Sequence, residues 1–196
     1  MISIITACSR PKMLPHVAES IQDFIKPFFD VQWYVIFDSK NLTAEDMNTD
    51  NLVSGLTFPV FVNHTPEGVW GCSQRNMALK MISDGESWVY ALDDDNMMHR
   101  DFRLLEPYMK GKSILTFDQD CGGGTIIRKG DDPRLDHIDM AQVLIKRKIY
   151  EFFIQDYGAD GEIIERLVSK HPGEWLYVEK IACYYNRVRG LGLDKI

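Results

Sequence analysis

The sequence predicts an α/β protein with a mainly parallel central sheet flanked by helices. Three observations predict it. Short apolar runs rich in β-formers recur through the first half, bounded by loop residues. Each is followed by a loop or an amphipathic stretch, and strands alternating with helices pair in parallel. Two runs, Val31 to Phe37 and Trp88 to Leu92, end directly in aspartate. In such sheets ligands bind outside the carboxyl ends of the strands, so those aspartates stand at the functional edge.

Taken in order, Ile2 to Ala7 is the first predicted strand, and Cys8-Ser9-Arg10-Pro11 is the loop after it. Leu14 to Phe28 places Val17, Ile21, Phe24 and Ile25 on one helical face. Val31 to Phe37 is the second strand, ending in Asp38. Asn41 to Gly55 is polar and predicts a short helix within a loop. Phe58 to Val62 is the third strand, and Asn63 to Gly71 a loop. A helix then runs from Cys72 to Ile82 and ends near Gly85. The fourth strand, ending at Asp93, is the central one.

The second half is patterned differently. Asp101 to Met109 predicts a short helix cut by Pro107, and Ser113 to Phe117 a strand. Cys121 to Gly124 is a turn, Thr125 to Arg128 a short strand, and Asp131 to His137 a polar loop. Asp139 to Ile149 is ambiguous, with Val143-Leu144-Ile145 favouring a strand. A helix starts around Asp160 and includes Ile163 to Val168, and Trp175 to Tyr185 is apolar.

The chain has 196 residues, enough for one domain with a substantial core. No repeat or linker divides it, so residues 1–196 are expected to form one domain with two functional halves, 1–96 and 97–196. A net charge of −7, with no basic block interleaved with aromatics, argues against nucleic acid as a partner. Cys8, Cys72, Cys121 and Cys183 show no Cys-x-x-Cys spacing and read as free thiols in a reducing compartment. Met1 to Ile5 reads as a strand rather than a signal peptide, because no charged region precedes it. No apolar run approaches the roughly 20 residues of a membrane span. A cytoplasmic location is the expectation.

Ser87 to Asn96 carries the chemistry. A buried strand runs straight into Asp93, Asp94 and Asp95. Uncompensated carboxylates are very costly to bury, so the strand is expected to end at Asp93, with the triplet at a solvated edge. Three adjacent like charges call for a cation. Mg²⁺ or Mn²⁺ suits carboxylate oxygens and bridges to substrate phosphates. An EF-hand is excluded, since the loop lacks the glycine at position six and the glutamate at position twelve. A solvated acidic turn is the plain alternative.

The order of these features resembles that of GT-A fold glycosyltransferases of the inverting, family-2-like kind. It comprises a strand with a Ser-Arg-Pro loop, a strand ending in Asp38, a helix entry with Arg75-Asn76, and a strand ending in Asp-Asp-Asp. The likeness covers most of the chain and is strongest from Ile2 to Asn96. It implies a Rossmann-like half that binds a nucleotide-diphosphate sugar and a second half that binds a carbohydrate or other hydroxyl acceptor. It also implies roles. Asp95 matches the direct metal ligand, and Asp93 lies near the ribose, donor sugar and metal, with Asp94 supporting both. Asp38 meets the nucleobase or ribose. Thr6, Ala7, Ser9 and Arg10 line the nucleotide, and Arg75 faces the base or diphosphate. Asp139 matches a position near the sugars, or is a turn residue.

An inverting transferase needs a carboxylate to take the acceptor's proton. The family often places it at the start of a helix in the second half, which here is Asp156 to Glu162. Asp160 is the candidate, with Asp156 and Glu162 as rivals and a helix cap as the plain alternative for Asp160. Asp38 as a bare strand end, Arg75 as the partner of an acid on its own helix, and Arg10 as loop surface are the corresponding alternatives. His137 and His171 lack paired ligand spacing. A nucleotidyltransferase is disfavoured because the Cys8 to Pro11 loop has no glycine, and a phosphatase of the Asp-x-Asp type because no aspartate follows Ile5. A non-catalytic sugar-nucleotide or carbohydrate-binding module stays open.

Overall fold

A computed structural model of the chain describes residues 1–40, 42–50, 54–66, 71–153 and 159–188. Strands β1 (Ile2–Cys8), β2 (Val31–Asp38), β3 (Val60–Thr65) and β4 (Trp88–Ala91) lie in the order β3-β2-β1-β4, all parallel. Ile2 stands opposite both Val31 and Trp88, so β1 is central to this half.

The alternation of side chains along these strands divides the core into two layers. Ile2, Ile4, Trp33, Val35, Trp88 and Tyr90 point to one face, where helix α1 (Leu14–Phe24) packs Leu14, Val17 and Ile21. Ile5, Tyr34, Ile36, Val89 and Ala91 point to the other. There they meet helix α2 (Cys72–Met81) and helix α3 (Ala159–Lys170), through Ala78, Leu79, Ile163 and Leu167. Burying each such Ile, Leu or Val contributes about 1.5–3 kcal/mol. β1, β2 and β4 are buried on both faces, which is why they read as continuous apolar runs, whereas β3 at the edge is largely exposed.

The second half departs from the expected parallel pattern. Strands β5 (Met97–Met98), β6 (Ile114–Asp120), β7 (Ile127–Arg128), β8 (Val143–Lys146) and β9 (Trp175–Tyr184) extend the sheet beyond β4 as β4-β8-β6-β9-β5, with β7 on β6. β8 is antiparallel to both β4 and β6, and β9 is parallel to β6. The sheet is therefore mixed. Because β8 reverses between them, β6 runs the same way as β4. The carboxyl ends of β1, β2, β4, β6 and β9 all open on one edge.

Several boundaries move for local reasons. α1 stops at Phe24, because Pro27 disfavours helix at the residue before it. β3 begins after Pro59 and runs on to Thr65. The segment Arg100–Met109 is one 3-10 helix with Pro107 inside it, not a helix cut there. The described part of Asn41 to Gly55 consists mostly of turns, and the rest lies outside the described residues. The four cysteines are free thiols. Among the described residues, no helix is long and apolar enough to cross a membrane.

Candidate functional site

The site grows from the end of β4. The Leu92 N–H donates to Ile5 O, so the chain stays in register with β1 up to the first aspartate. Asp93 then emerges with its side chain about a third exposed, at 32%. Asp94 and Asp95 do not follow it into solvent. They are 1% and 4% exposed. This corrects the expectation of a solvated triplet, and the reason is compensation. Asp94 Oδ2 accepts from the backbone N–H groups of Ser9 (2.7 Å) and Arg10 (2.8 Å). Its Oδ1 accepts from Arg10 Nε at 2.8 Å and from Arg10 Nη2. The same Nη2 lies 2.9 Å from Asp95 Oδ2. Arg10 is thus no loop-surface residue but the counter-charge that makes burial of two carboxylates tolerable. Asp94 in turn shapes the Ser9-Arg10 loop.

A second guanidinium organises the other side. Arg75, in the first turns of α2 and only 5% exposed, donates from Nη2 to Asp93 Oδ1 at 2.6 Å and from Nη1 to Asp160 Oδ1 at 3.4 Å. Its partners lie on other elements, not on its own helix. Its guanidinium also sits 5.4 Å over the Phe153 ring. Burial pulls Arg75 down, but Asp160 and Asp93 outweigh it and hold the group above its ordinary pKa. Asn76 pins the neighbouring chain by exchanging hydrogen bonds with Phe153 O (3.0 Å) and N (2.7 Å).

A cavity of about 320 Å³ opens between these groups, within the range usual for small-molecule sites. β1 and its loop contribute Ala7, Cys8, Ser9 and Arg10. Asp38 comes from the end of β2, Gly71, Gln74 and Arg75 from the start of α2, and Asp93 and Asp94 from β4. The candidates Ala7, Ser9, Arg10, Asp38, Arg75, Asp93 and Asp94 are therefore brought together. Thr6 is not among them, because its hydroxyl is buried in the core and accepts from Trp33 Nε1 at 2.9 Å. Asp95 sits behind Arg10, and Asp160 reaches the cavity through Arg75.

Asp160 occupies the first turn of α3 rather than a cap position. Burial pushes its carboxyl up, Arg75 opposes this, and Asp93 adds to it. Gly161 lets α3 pack closely on the Asp131 to His137 loop: a Cβ there would lie 2.9 Å from Leu135 Cα. Of the rivals, Glu162 pairs with Arg166 at 3.4 Å on an exposed face. Asp156 and Gly158 lie outside the described residues. Asp139 caps a 3-10 turn, accepting from Ala141 N at 2.8 Å, and lies 3.6 Å from Arg128. It belongs to the same field, because burial and then Asp93 push its carboxyl up, with Asp160 contributing. Asp95 is pushed up to about 6 by burial, with Asp93 and Asp94 adding and Arg10 opposing.

Asp93 thus adds to the rise of Asp95, Asp139 and Asp160, and such a field suits a hard cation. Among the described residues, no group of three or more His, Cys, Asp or Glu is placed to hold a metal by itself. Mg²⁺-type sites commonly need only one or two carboxylates plus substrate phosphates. The residues fit a cation shared with a phosphate ligand, with Asp93 the carboxylate open to the cavity.

Gln74, Asn76 and Arg128 had no role assigned from sequence. The Arg75-Asn76 pair was a visible signal for Asn76. Gln74 had none beyond its place beside Arg75. Gly71 holds α2 against β1: its φ is +76°, and a Cβ there would lie 2.8 Å from Ala7 Cβ. Gly71→Ala is expected to cost about 2 kcal/mol or more, from left-handed backbone strain and the displaced helix start. Thermal unfolding measures it, and an unchanged midpoint would show that the close approach is not maintained.

No family model matches the chain, and no curated protein does. Solved structures do. TarS from S. aureus superposes with a TM-score of 0.70 at 14% identity, covering 93% of this chain and 36% of that one. TarS 1–349 in complex with UDP-GlcNAc matches with a TM-score of 0.66 at 12% identity, covering 94% and 58%. The mannosyltransferase PcManGT from Pyrobaculum calidifontis, in complex with GDP-Man and Mn²⁺, matches with 0.66 at 13% identity, covering 94% and 56%. The chain spans 36 to 60% of the length of the TarS and PcManGT structures it matches. It has the GT-A-type fold of these proteins.

Proposed function

We propose that the chain transfers a sugar from a nucleotide-diphosphate sugar to an acceptor hydroxyl, with inversion. The observation that carries this reading is Arg75. It ties a strand-end aspartate, Asp93, to a helix-start aspartate, Asp160, at the cavity on the carboxyl edge of the sheet. A donor in that cavity and a base beside it are what a direct displacement requires. In this reading residues 1–96 hold the donor and residues 97–196 the acceptor. Nucleotide-sugar and Mn²⁺ complexes of proteins with this fold support it.

Each residue has a part. Asp38 takes ribose or base hydrogen-bond donors at the end of β2. Arg10 and Arg75 present guanidinium charge to the diphosphate. Asp93 would hold Mn²⁺ or Mg²⁺ from the cavity together with the diphosphate, and Asp95 would join it where the diphosphate takes over its Arg10 partner. When bound, the cation neutralises charge on the departing diphosphate. Asp160 accepts the proton as the acceptor oxygen bonds to the anomeric carbon. The anomeric bond to the diphosphate breaks, and its electron pair leaves with the diphosphate. A single displacement of this kind inverts the anomeric centre.

Incubation with UDP-GlcNAc, GDP-Man and related donors plus Mn²⁺ tests the reading through slow donor hydrolysis. Asp95→Ala is expected to abolish Mn²⁺-dependent nucleotide binding while the protein stays folded. Full turnover in excess chelator, or wild-type turnover in Asp95→Ala, rules out the metal role.

A further inference from the structure

A second cavity opens on the same edge of the sheet, at the carboxyl ends of β6 and β9. It measures about 360 Å³, and its lining includes Asp120, Gly122, Tyr184, Tyr185, Asn186 and Arg187. Its wall holds a buried carboxylate that the protein satisfies only by half. Asp120 is 5% exposed. Its Oδ1 accepts from Gly122 N at 2.9 Å, while Oδ2 has no partner among the described residues and is not sealed from the cavity. Asp118, two residues earlier on β6, shows what a purely structural carboxylate requires here. It is 2% exposed, and Lys129 Nζ, Gly130 N and Tyr177 Oη serve both its oxygens at 2.9–3.1 Å. Buried charge without such partners is costly, so the open oxygen of Asp120 marks a place for a ligand's donor.

The neighbouring groups fix the kind of ligand. Asp120, when ionised, only accepts hydrogen bonds, and Arg187 only donates them. A phosphate or carboxylate ligand would meet Asp120. An ammonium would meet Arg187 and Arg128, whose guanidinium groups lie 5.7 and 4.9 Å over the Tyr184 and Tyr185 rings. A hydroxyl suits both signs of charge, since it donates and accepts. Burial, and then Asp120, hold the Tyr184 hydroxyl above its ordinary pKa, so it keeps its proton to donate. A peptide amide also donates and accepts, but an extended peptide binds by pairing along an open strand edge. The end of β6 has none: Asp120 pairs with Ile127 of β7 on one side and with Tyr184 of β9 on the other. The matching ligand is neutral and rich in hydroxyls.

The cavity is tied to the donor site without being part of it. Asn186 N donates to Asn96 Oδ1 at 2.8 Å, and Val188 N to Asp95 O at 3.1 Å. The turn after β9 therefore hangs on the loop of the aspartate triplet. One strand, β8, lies between β4 and β6. Tyr90 and Leu115 both stand opposite Leu144, so Asp120 reaches two residues further out than Asp93. Those spacings put Asp120 about 10–15 Å from Asp93, more than one sugar ring spans.

We infer that this cavity seats a neutral sugar unit of an oligosaccharide acceptor, beyond the unit that carries the attacking hydroxyl. Asp120 accepts from the hydroxyls of that unit, and Arg187 donates to them. The inference rests on the glycosyl-transfer reading and names its acceptor class.

The test is saturation-transfer NMR and calorimetric titration with maltotriose, cellotriose, chitotriose, mannotriose, trigalacturonate and a serine-containing hexapeptide. At least one neutral trisaccharide is expected to bind the wild type in the millimolar range. Asp120→Asn keeps an acceptor for Gly122 N but turns the open oxygen into a donor. It is expected to weaken that trisaccharide about fivefold or more. Arg187→Met, at an exposed position, is expected to weaken it about threefold or more, and it carries the test should Asp120→Asn fail to fold. Both variants are expected to bind UDP or GDP with Mn²⁺ within about twofold of wild type, because they lie away from the donor cavity. Binding of no neutral trisaccharide, or an affinity unchanged in either folded variant, overturns the inference. Preferential binding of trigalacturonate or of the peptide overturns it too. Wild-type protein that binds a nucleotide but no trisaccharide sinks this inference alone. Wild-type protein that binds a trisaccharide but no nucleotide sinks the donor reading instead.

Discussion

Arg10→Met is expected to lower the thermal midpoint by roughly 6–12 °C, although it deletes a loop side chain that is 29% exposed. The loss comes from what is left behind. Asp94 is buried with its charge, and Arg10 supplies two of its hydrogen bonds and its nearest positive charge. Breaking a buried pair on one side costs 3–5 kcal/mol. The backbone N–H groups of Ser9 and Arg10 still serve Asp94 in the variant, which places the loss near the low end, about 3 kcal/mol. For a chain of this size each kcal/mol moves the midpoint by about 2–4 °C. Arg10→Lys is not expected to restore it, because an ammonium cannot fork across Asp94 and Asp95. The comparison is Arg128→Met, whose 3.6 Å pair with Asp139 is partly exposed and worth about 1 kcal/mol or less. Calorimetric melting decides between them, and equal small shifts for both would show that Arg10 does not hold the triplet in place.

The same variant has a pH signature. Asp95 has a folded pKa of about 6 against an ordinary 3.8. The folded state therefore binds that proton more tightly than the unfolded chain does. Stability from this group is complete below about pH 4 and is lost as pH rises through 6. Arg10 is the group that opposes the rise. Without it the folded pKa rises further, so the decline is expected to extend to pH values above 6, measured in metal-free buffer.

What could be read from the residues, and what could not, follows from how far apart the partners are. β1, β2 and β4 were legible because both faces are buried, so the apolar run needs no partner to declare itself. β6 was read only to Phe117, although it runs to Asp120. Asp118 is hidden there because Lys129, the Gly130 N–H and the Tyr177 hydroxyl satisfy it, the last from 59 residues away. The run Val143 to Ile145 announces a buried strand but carries no signal of direction. At the site, the place of the Asp triplet was legible and the burial of Asp94 was not, since its counter-charge lies 84 residues earlier. Thr6 was legible and misread. The two-residue alternation puts it on the face of Ile2 and Ile4, toward Trp33 and away from the cavity.

Asp160→Asn is expected to cut turnover by about two to four orders of magnitude, with donor affinity near wild type. The attacking hydroxyl must lose a proton as its oxygen bonds to the anomeric carbon, and an amide cannot take it. The geometry otherwise survives, because an asparagine Oδ1 still accepts from Arg75, and Arg75 keeps Asp93. A selective effect on turnover thus separates the base from a merely structural partner of Arg75. The wild-type pH profile gives a second reading. Burial raises the Asp160 carboxyl above the ordinary 3.8, with Arg75 pulling the other way. A base works only when ionised, so turnover falls as pH drops through that raised value, and the acid limb lies above the ordinary 3.8. Asp160→Asn removes that limb. Glu162→Gln is the control: its carboxylate faces Arg166 on an exposed helix turn, and turnover is expected to change less than about twofold. If Asp160→Asn keeps most of its activity and its acid limb, the proton goes elsewhere. Asp139 is then the next carboxylate to replace, because it shares the field of Asp93 and Asp160.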